Sequence, residues 1–166
     1  MKRLLLKRNV SMTMTPLKEL LSSIKMSRSE KKRKIDEPLV EQFLSELREA
    51  GVKIIGDEER RRRGNHFRLE QGKAGVEVSL HQATQGWWGV TENYVNKVEK
   101  WGDQWGVVFL APEGRFWVDG RKFRTIVTGD LDEDNGYNVH LDRLKESSSA
   151  NHFSSVREFL SISGLR

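Results

Sequence analysis

The run Trp105-Gly106-Val107-Val108-Phe109-Leu110-Ala111 is apolar without a break. It is far shorter than the ~20 residues that a membrane-spanning helix needs, and no other apolar run comes closer to that length. An unbroken apolar stretch of this size reads as a central strand covered on both faces. Covering both faces of a strand takes helices above and below it. The run therefore predicts an α/β fold, a single domain with a mixed central sheet flanked by helices. No membrane partner is expected.

A second stretch, Val76-Glu77-Val78-Ser79-Leu80-His81, alternates apolar and polar. That is the period of a half-buried strand, with Val76, Val78 and Leu80 inward. The shorter run His66-Phe67-Arg68-Leu69-Glu70 precedes it, across Gln71-Gly72-Lys73-Ala74-Gly75. The two glycines and the short gap predict a hairpin. Matching the apolar faces sets Phe67 and Leu69 against Val78 and Val76. His66 then meets Ser79, and Arg68 meets Glu77.

Around this hairpin the chain reads as follows. Asp36 caps a helix with Pro38 in its first turn, an apolar stripe of Leu39, Val40, Phe43, Leu44 and Leu47, and Gly51 as its stop. Residues 52–55 form a strand. Residues 91–101 form an amphipathic helix whose apolar side holds Tyr94, Val95, Val98 and Trp101. Phe116-Trp117-Val118 is a strand, Asp119-Gly120 a tight turn, and 122–128 a further strand. Residues 137–141 form the last strand, 145–151 a loose Ser-rich stretch, and 156–160 a short final helix.

Charge divides the chain. Residues 1–34 carry eleven Lys/Arg against Glu19 and Glu30, a net of +9, so the rest carries −4 of the formal +5. The boundary falls at 35/36: a basic flexible arm over 1–35, with one transient helix around Leu17, Leu20, Leu21 and Ile24, and the folded domain over 36–166. Such an arm attracts phosphates non-specifically. Its run Lys31-Lys32-Arg33-Lys34 reads as a nuclear-import signal, a nucleic-acid patch or a solvated tail. The first eighteen residues contain no acid and several Ser/Thr, so a mitochondrial transit peptide is an alternative. There is no cysteine, which excludes disulfides and thiolate zinc sites.

The polar row Glu77, Ser79, His81, with His66 and Arg68 beside it, is the best candidate site. Carboxylate and imidazole together can hold a divalent metal or move a proton. The same residues also read as a cross-strand ion pair and exposed histidines. The loop run Arg60-Arg61-Arg62-Arg63 can pair with phosphates, or with its neighbours Asp57, Glu58 and Glu59. Trp101, Trp105 and Trp117 belong to apolar patterns and read as core. Trp87-Trp88 lies in a glycine-flanked loop, where an exposed ring can stack on an unpaired base or wedge into a duplex. Packing of both rings is the alternative. Asp130, Asp132, Asp134, Asn135 and Gly136 are spaced somewhat like a calcium loop, but the glycine comes one place late and no bidentate Glu follows.

The order of elements over residues 28–123 resembles the PD-(D/E)XK nuclease superfamily, above all archaeal Holliday junction resolvases and small restriction-type endonucleases. The residues that carry the likeness are the basic lead-in from Arg28 to Lys34 and the helix end Leu47-Arg48-Glu49-Ala50-Gly51-Val52. Gly75-Val76-Glu77-Val78 follows, then the apolar run at 105–110 and Arg115-Phe116-Trp117-Val118-Asp119-Gly120-Arg121-Lys122-Phe123. The resemblance implies a restriction-endonuclease-like fold and Mg2+ held by Glu77 with Glu41 of the first helix. It also suggests a homodimer. Ser79 stands where the family has a lysine, and Asn65 or His66 where it has an aspartate. Arg68, Lys73 and His81 are the candidates to replace the missing cation or base. The catalytic candidates are Glu41, His66, Glu77, Ser79 and His81. Those for nucleic acid are Lys31 to Lys34, Arg60 to Arg63, Arg68, Trp87 and Trp88.

The expectation is a DNA-binding protein on an endonuclease-like scaffold, with Mg2+-dependent phosphodiester hydrolysis as its reaction if it is an enzyme. It would be intracellular, at the nucleoid or nucleus. The alternative is a catalytically inactive nucleic-acid- or protein-interaction module.

Overall fold

The apolar run lies at the centre of the fold. The structure, a computed structural model, describes residues 37–56, 65–101, 104–127 and 136–166. The expected arm and its Lys31 to Lys34, the loop arginines Arg60 to Arg63, and the acidic positions 130–135 lie outside the described residues. The elements follow in the order α1 (Pro38–Glu49), β1 (Lys53–Ile55), β2 (His66–Gln71), β3 (Ala74–Gln82), β4 (Trp87–Thr91), α2 (Glu92–Val98) and β5 (Trp105–Ala111). Then come β6 (Gly114–Asp119), α3 (Gly120–Ile126), β7 (Gly136–His140), α4 (Leu141–Glu146), β8 (Ala150–Phe153) and α5 (Val156–Ile162).

Six strands form one sheet in the order β1-β2-β3-β5-β6-β8, and β4 with β7 makes a separate two-stranded ribbon. Every residue of β5 is buried. Its neighbour β3 runs parallel to it, whereas the other neighbouring pairs of the sheet are antiparallel. A parallel pair cannot be closed by a tight turn, and β4 and α2 form the crossover. The hairpin of β2 and β3 takes the register read from the alternation: Phe67 opposite Val78, Leu69 opposite Val76, His66 opposite Ser79 and Arg68 opposite Glu77. Among the described residues no helix is long and apolar enough to cross a membrane.

The sheet separates two apolar clusters. On one face, Val40, Phe43, Leu44 and Leu47 of α1 and Val156, Phe159 and Leu160 of α5 pack on Phe67, Leu69, Val76, Val78, Leu80, Val108, Leu110 and Trp117. On the other, α2, α3, α4 and the ribbon cover Trp105, Val107, Phe109, Phe116 and Val118. Burying side chains of this size stabilises by roughly 1.5–3 kcal/mol each. Packing is tightest around two tryptophans that need a glycine. A Cβ at Gly106 would lie 2.1 Å from Trp117 Cη2, and one at Gly120 2.2 Å from Trp105 Cε2. Across the first cluster, Arg115 of β6 donates to Glu46 of α1 (Nη2 to Oε1, 2.8 Å) and lies over the Phe43 ring.

Three expectations are corrected. The strand expected over 122–128 is not formed by residues 122–126, which belong to α3: the helix begins at Gly120, because the Asp119 carboxylate accepts from the Arg121 amide and caps it. Trp87-Trp88 is not a loop but the start of β4, paired to β7 from Trp87↔His140 to Thr91↔Gly136. The Ser-rich stretch leads into a further strand, β8, which pairs with β6, so the strand at 136–140 is not the last. The N-terminus of α1 also differs in detail. Its first free amides, Leu39 and Val40, donate to Gln82 Oε1 of β3 at 2.8 and 3.3 Å, which ties the helix to the sheet.

Candidate functional site

The alternation of β3 sends Glu77, Ser79 and His81 to the face opposite α1, and the parallel register sets them beside Trp105, Val107 and Phe109 of β5. His66 and Arg68 come to the same face from β2. The five side chains form two groups.

The outer group is a ladder of charges. Glu77 Oε2 lies 2.9 Å from His66 Nε2, and Glu77 Oε1 accepts from Arg68 Nη1 at 3.3 Å. Arg68 Nε also donates to Glu70 Oε1 at 3.0 Å, and Lys53 of β1 lies 3.6 Å from the same carboxylate. The Arg68 guanidinium holds the Glu70 carboxyl below its usual range, and Glu70 and then Glu77 raise that of Arg68. The His66 ring stacks flat on Trp101, centroids 3.6 Å apart at 3°. An imidazole pinned between a carboxylate and an indole has one orientation only.

The inner group centres on a hydroxyl closed off from water, with His81 and Tyr94 half-buried around it. Ser79 is fully buried. Its Oγ lies 3.1 Å from His81 Nε2, which also lies 3.0 Å from the Tyr94 hydroxyl of α2. The Tyr94 ring meets His81 edge-on at 5.1 Å. Burial pushes the His81 imidazole down to about 4 and the Tyr94 phenol up. His81 is thus neutral at pH 7. Ser79 and His81 have the contact of a nucleophile and its base, but the hydroxyl has no path to a substrate and the imidazole is a weak base.

The metal set expected from the resemblance does not assemble. Glu41 sits on the exposed side of α1, and that helix packs on the opposite face of the sheet from Glu77. No three His, Asp or Glu among the described residues gather as metal donors. Both oxygens of Glu77 already have partners, one of them a guanidinium that neutralises the carboxylate as a divalent cation would. Asn65 leads into β2 with a left-handed backbone (φ 47°), and its amide donates to the Glu37 carboxylate. The residues present therefore do not fit Mg2+ held by Glu77 and Glu41. Lys73 lies in the hairpin turn, away from both groups.

The two adjacent tryptophans separate as strand alternation requires. Trp88 points inward, 4% exposed, with its ring edge-on to Phe109 at 5.1 Å, so it is core and not a binding residue. Trp87 points outward and is 47% exposed.

Tyr94 and Trp101 are the residues whose part in the site the sequence reading missed. Both lie on the apolar side of their predicted helix, and both cover the polar row rather than a purely apolar core. The available signal was the hydroxyl on that stripe, since a buried tyrosine needs a hydrogen-bond partner. No protein-family model and no curated protein matches the chain.

Proposed function

We propose that this protein binds DNA on a restriction-endonuclease-like scaffold whose catalytic position has passed from metal binding to structural support. The observation that carries the reading is Glu77. It occupies the strand position that the resemblance gives to the metal-binding carboxylate, yet its oxygens face His66 and Arg68 at 2.9 and 3.3 Å. A fixed guanidinium removes the need for a metal counter-charge. The succession α1-β1-β2-β3-β4-α2-β5, with β3 parallel to β5, supports the scaffold, because apart from β4 it is the order on which the resemblance rests. The net +9 of residues 1–34 supports a polyanionic partner. Lys31, Lys32, Arg33, Lys34 and Arg60 to Arg63 are the side chains assigned to phosphate.

The test uses the full chain with linear and branched DNA in magnesium or manganese, beside Glu77→Ala. Neither protein is expected to cleave, and both should bind with an affinity that falls steeply as salt rises. Removing residues 1–34 should take away most of that slope. Metal-dependent cleavage lost in Glu77→Ala would overturn the structural role of Glu77. Absent or salt-independent binding would overturn DNA recognition.

A further inference from the structure

The outward row of the β4–β7 ribbon consists of Trp87, Gly89 and Thr91 on one strand and His140 and Asn138 opposite them, with the buried Gly136 across from Thr91. None of these six residues is acidic. The Trp87 ring leans along the ribbon: a Cβ at Gly89 would meet Trp87 Cζ3 at 3.9 Å. Trp87 is 47% exposed, so about half of the residue meets water. The inward row, Trp88, Val90 and Val139, is buried in the cluster below. The ribbon is therefore a fixed support, and its exposed ring is not a frayed end.

Two features decide what this ring fits. Among the described residues, Trp87 and Ile162 are the exposed large hydrophobics, and Ile162 is on α5, across the sheet. Trp87 thus stands alone. A stable contact with a second protein takes a patch of roughly 800 Å² on each partner, whereas one base needs only one ring. The chain also carries its positive charge in one basic segment, which suits a polyanion. We propose that Trp87 is a stacking platform for an unpaired base of a nucleic-acid strand, with Asn138 and His140 in reach of the base edge or its phosphate. This rests on the nucleic-acid reading above and adds a preference for unpaired over duplex substrate.

The molecule supplies its own reporter. Of its five tryptophans, Trp88, Trp105 and Trp117 are at most 6% exposed, and Trp101 is stacked on His66. Emission that iodide can quench therefore comes chiefly from Trp87. The full chain is titrated with oligo-dT and with a blunt duplex of equal length. Oligo-dT is expected to quench this emission and to shield it from iodide; the duplex should bind without doing so. Trp87→Ala should weaken oligo-dT binding about tenfold while leaving duplex binding unchanged, and Trp87→Phe should restore most of the loss. Because the wild-type titration needs no variant, a folding defect in Trp87→Ala does not blunt the test.

Oligo-dT binding with unaltered emission would overturn the platform and leave the DNA reading intact. Equal quenching by the duplex would overturn the preference for unpaired bases. Shielding of Trp87 that grows with protein concentration alone would assign the ring to a second copy of the chain. Failure to bind either oligonucleotide would overturn both readings.

Discussion

Ser79→Lys places in the chain the residue that the nuclease resemblance calls for, and the structure forecasts failure. Ser79 has no exposed surface, and its Oγ is 3.1 Å from His81 Nε2. A lysine here must thread several extra atoms between β3, β5 and Tyr94. Overfilling a packed site costs about 1–3 kcal/mol. The ammonium would stop beside a neutral His81, and an unpaired buried charge costs several kcal/mol more. The lost serine–histidine hydrogen bond adds about 1 kcal/mol. The total is at least ~4 kcal/mol, against a domain stability of roughly 5–15 kcal/mol. Ser79→Ala is the control, since it forfeits the hydroxyl's hydrogen bonds without overfilling the site and should cost about 1–2 kcal/mol. Urea unfolding followed by tryptophan fluorescence measures both, and a magnesium-dependent cleavage assay accompanies it. A Ser79→Lys protein within ~1 kcal/mol of wild type that cleaves DNA would show an open, dormant catalytic site and refute the closure argued above.

Two further outcomes follow from the same geometry. His81 has a folded-state pKa of about 4, below its ordinary value of about 6.5, so the unfolded chain takes up this proton first as pH falls. Its contribution is complete above pH ~6.5, is lost between there and pH ~4, and amounts to roughly 2–3 kcal/mol; urea midpoints of His81→Gln should decline less steeply over that window than those of wild type, and parallel curves would contradict the shift. Gly106→Ala should destabilise by about 3 kcal/mol, because the added methyl would meet a Trp117 ring that is 2% exposed and has no room to swing; a loss under ~0.5 kcal/mol would mean that the ring can move.

What the sequence disclosed follows the range of the forces involved. The β2–β3 register was legible because one short turn joins two strands whose apolar faces must coincide. The burial of β5 was legible because its residues leave no polar face. The α3 helix was missed because Phe123, Ile126 and Val127 suit a strand as well, and one carboxylate, Asp119, decides the matter locally. The β4–β7 ribbon escaped because its strands pair across about fifty residues, with Trp88 opposite Val139. In the site, the facing residues could be listed from alternation. Their closure could not, since it depends on where α2 and the turn after it carry Tyr94 and Trp101. The failure of Glu41 to join Glu77 has the same origin: heptad spacing shows which side of α1 is apolar, not which face of the sheet it covers.

The sheet ends in two short strands, three residues in β1 and four in β8. Each exposes only a brief row of backbone donors and acceptors, too little to template another strand. Polymerisation by edge pairing is thereby discouraged, and the exposed Lys53 of β1 adds a charge to that edge. Among the described residues, the edges of the six-stranded sheet would not hold a homodimer of the kind the resemblance suggests, which leaves the helices and the ribbon as its contacts.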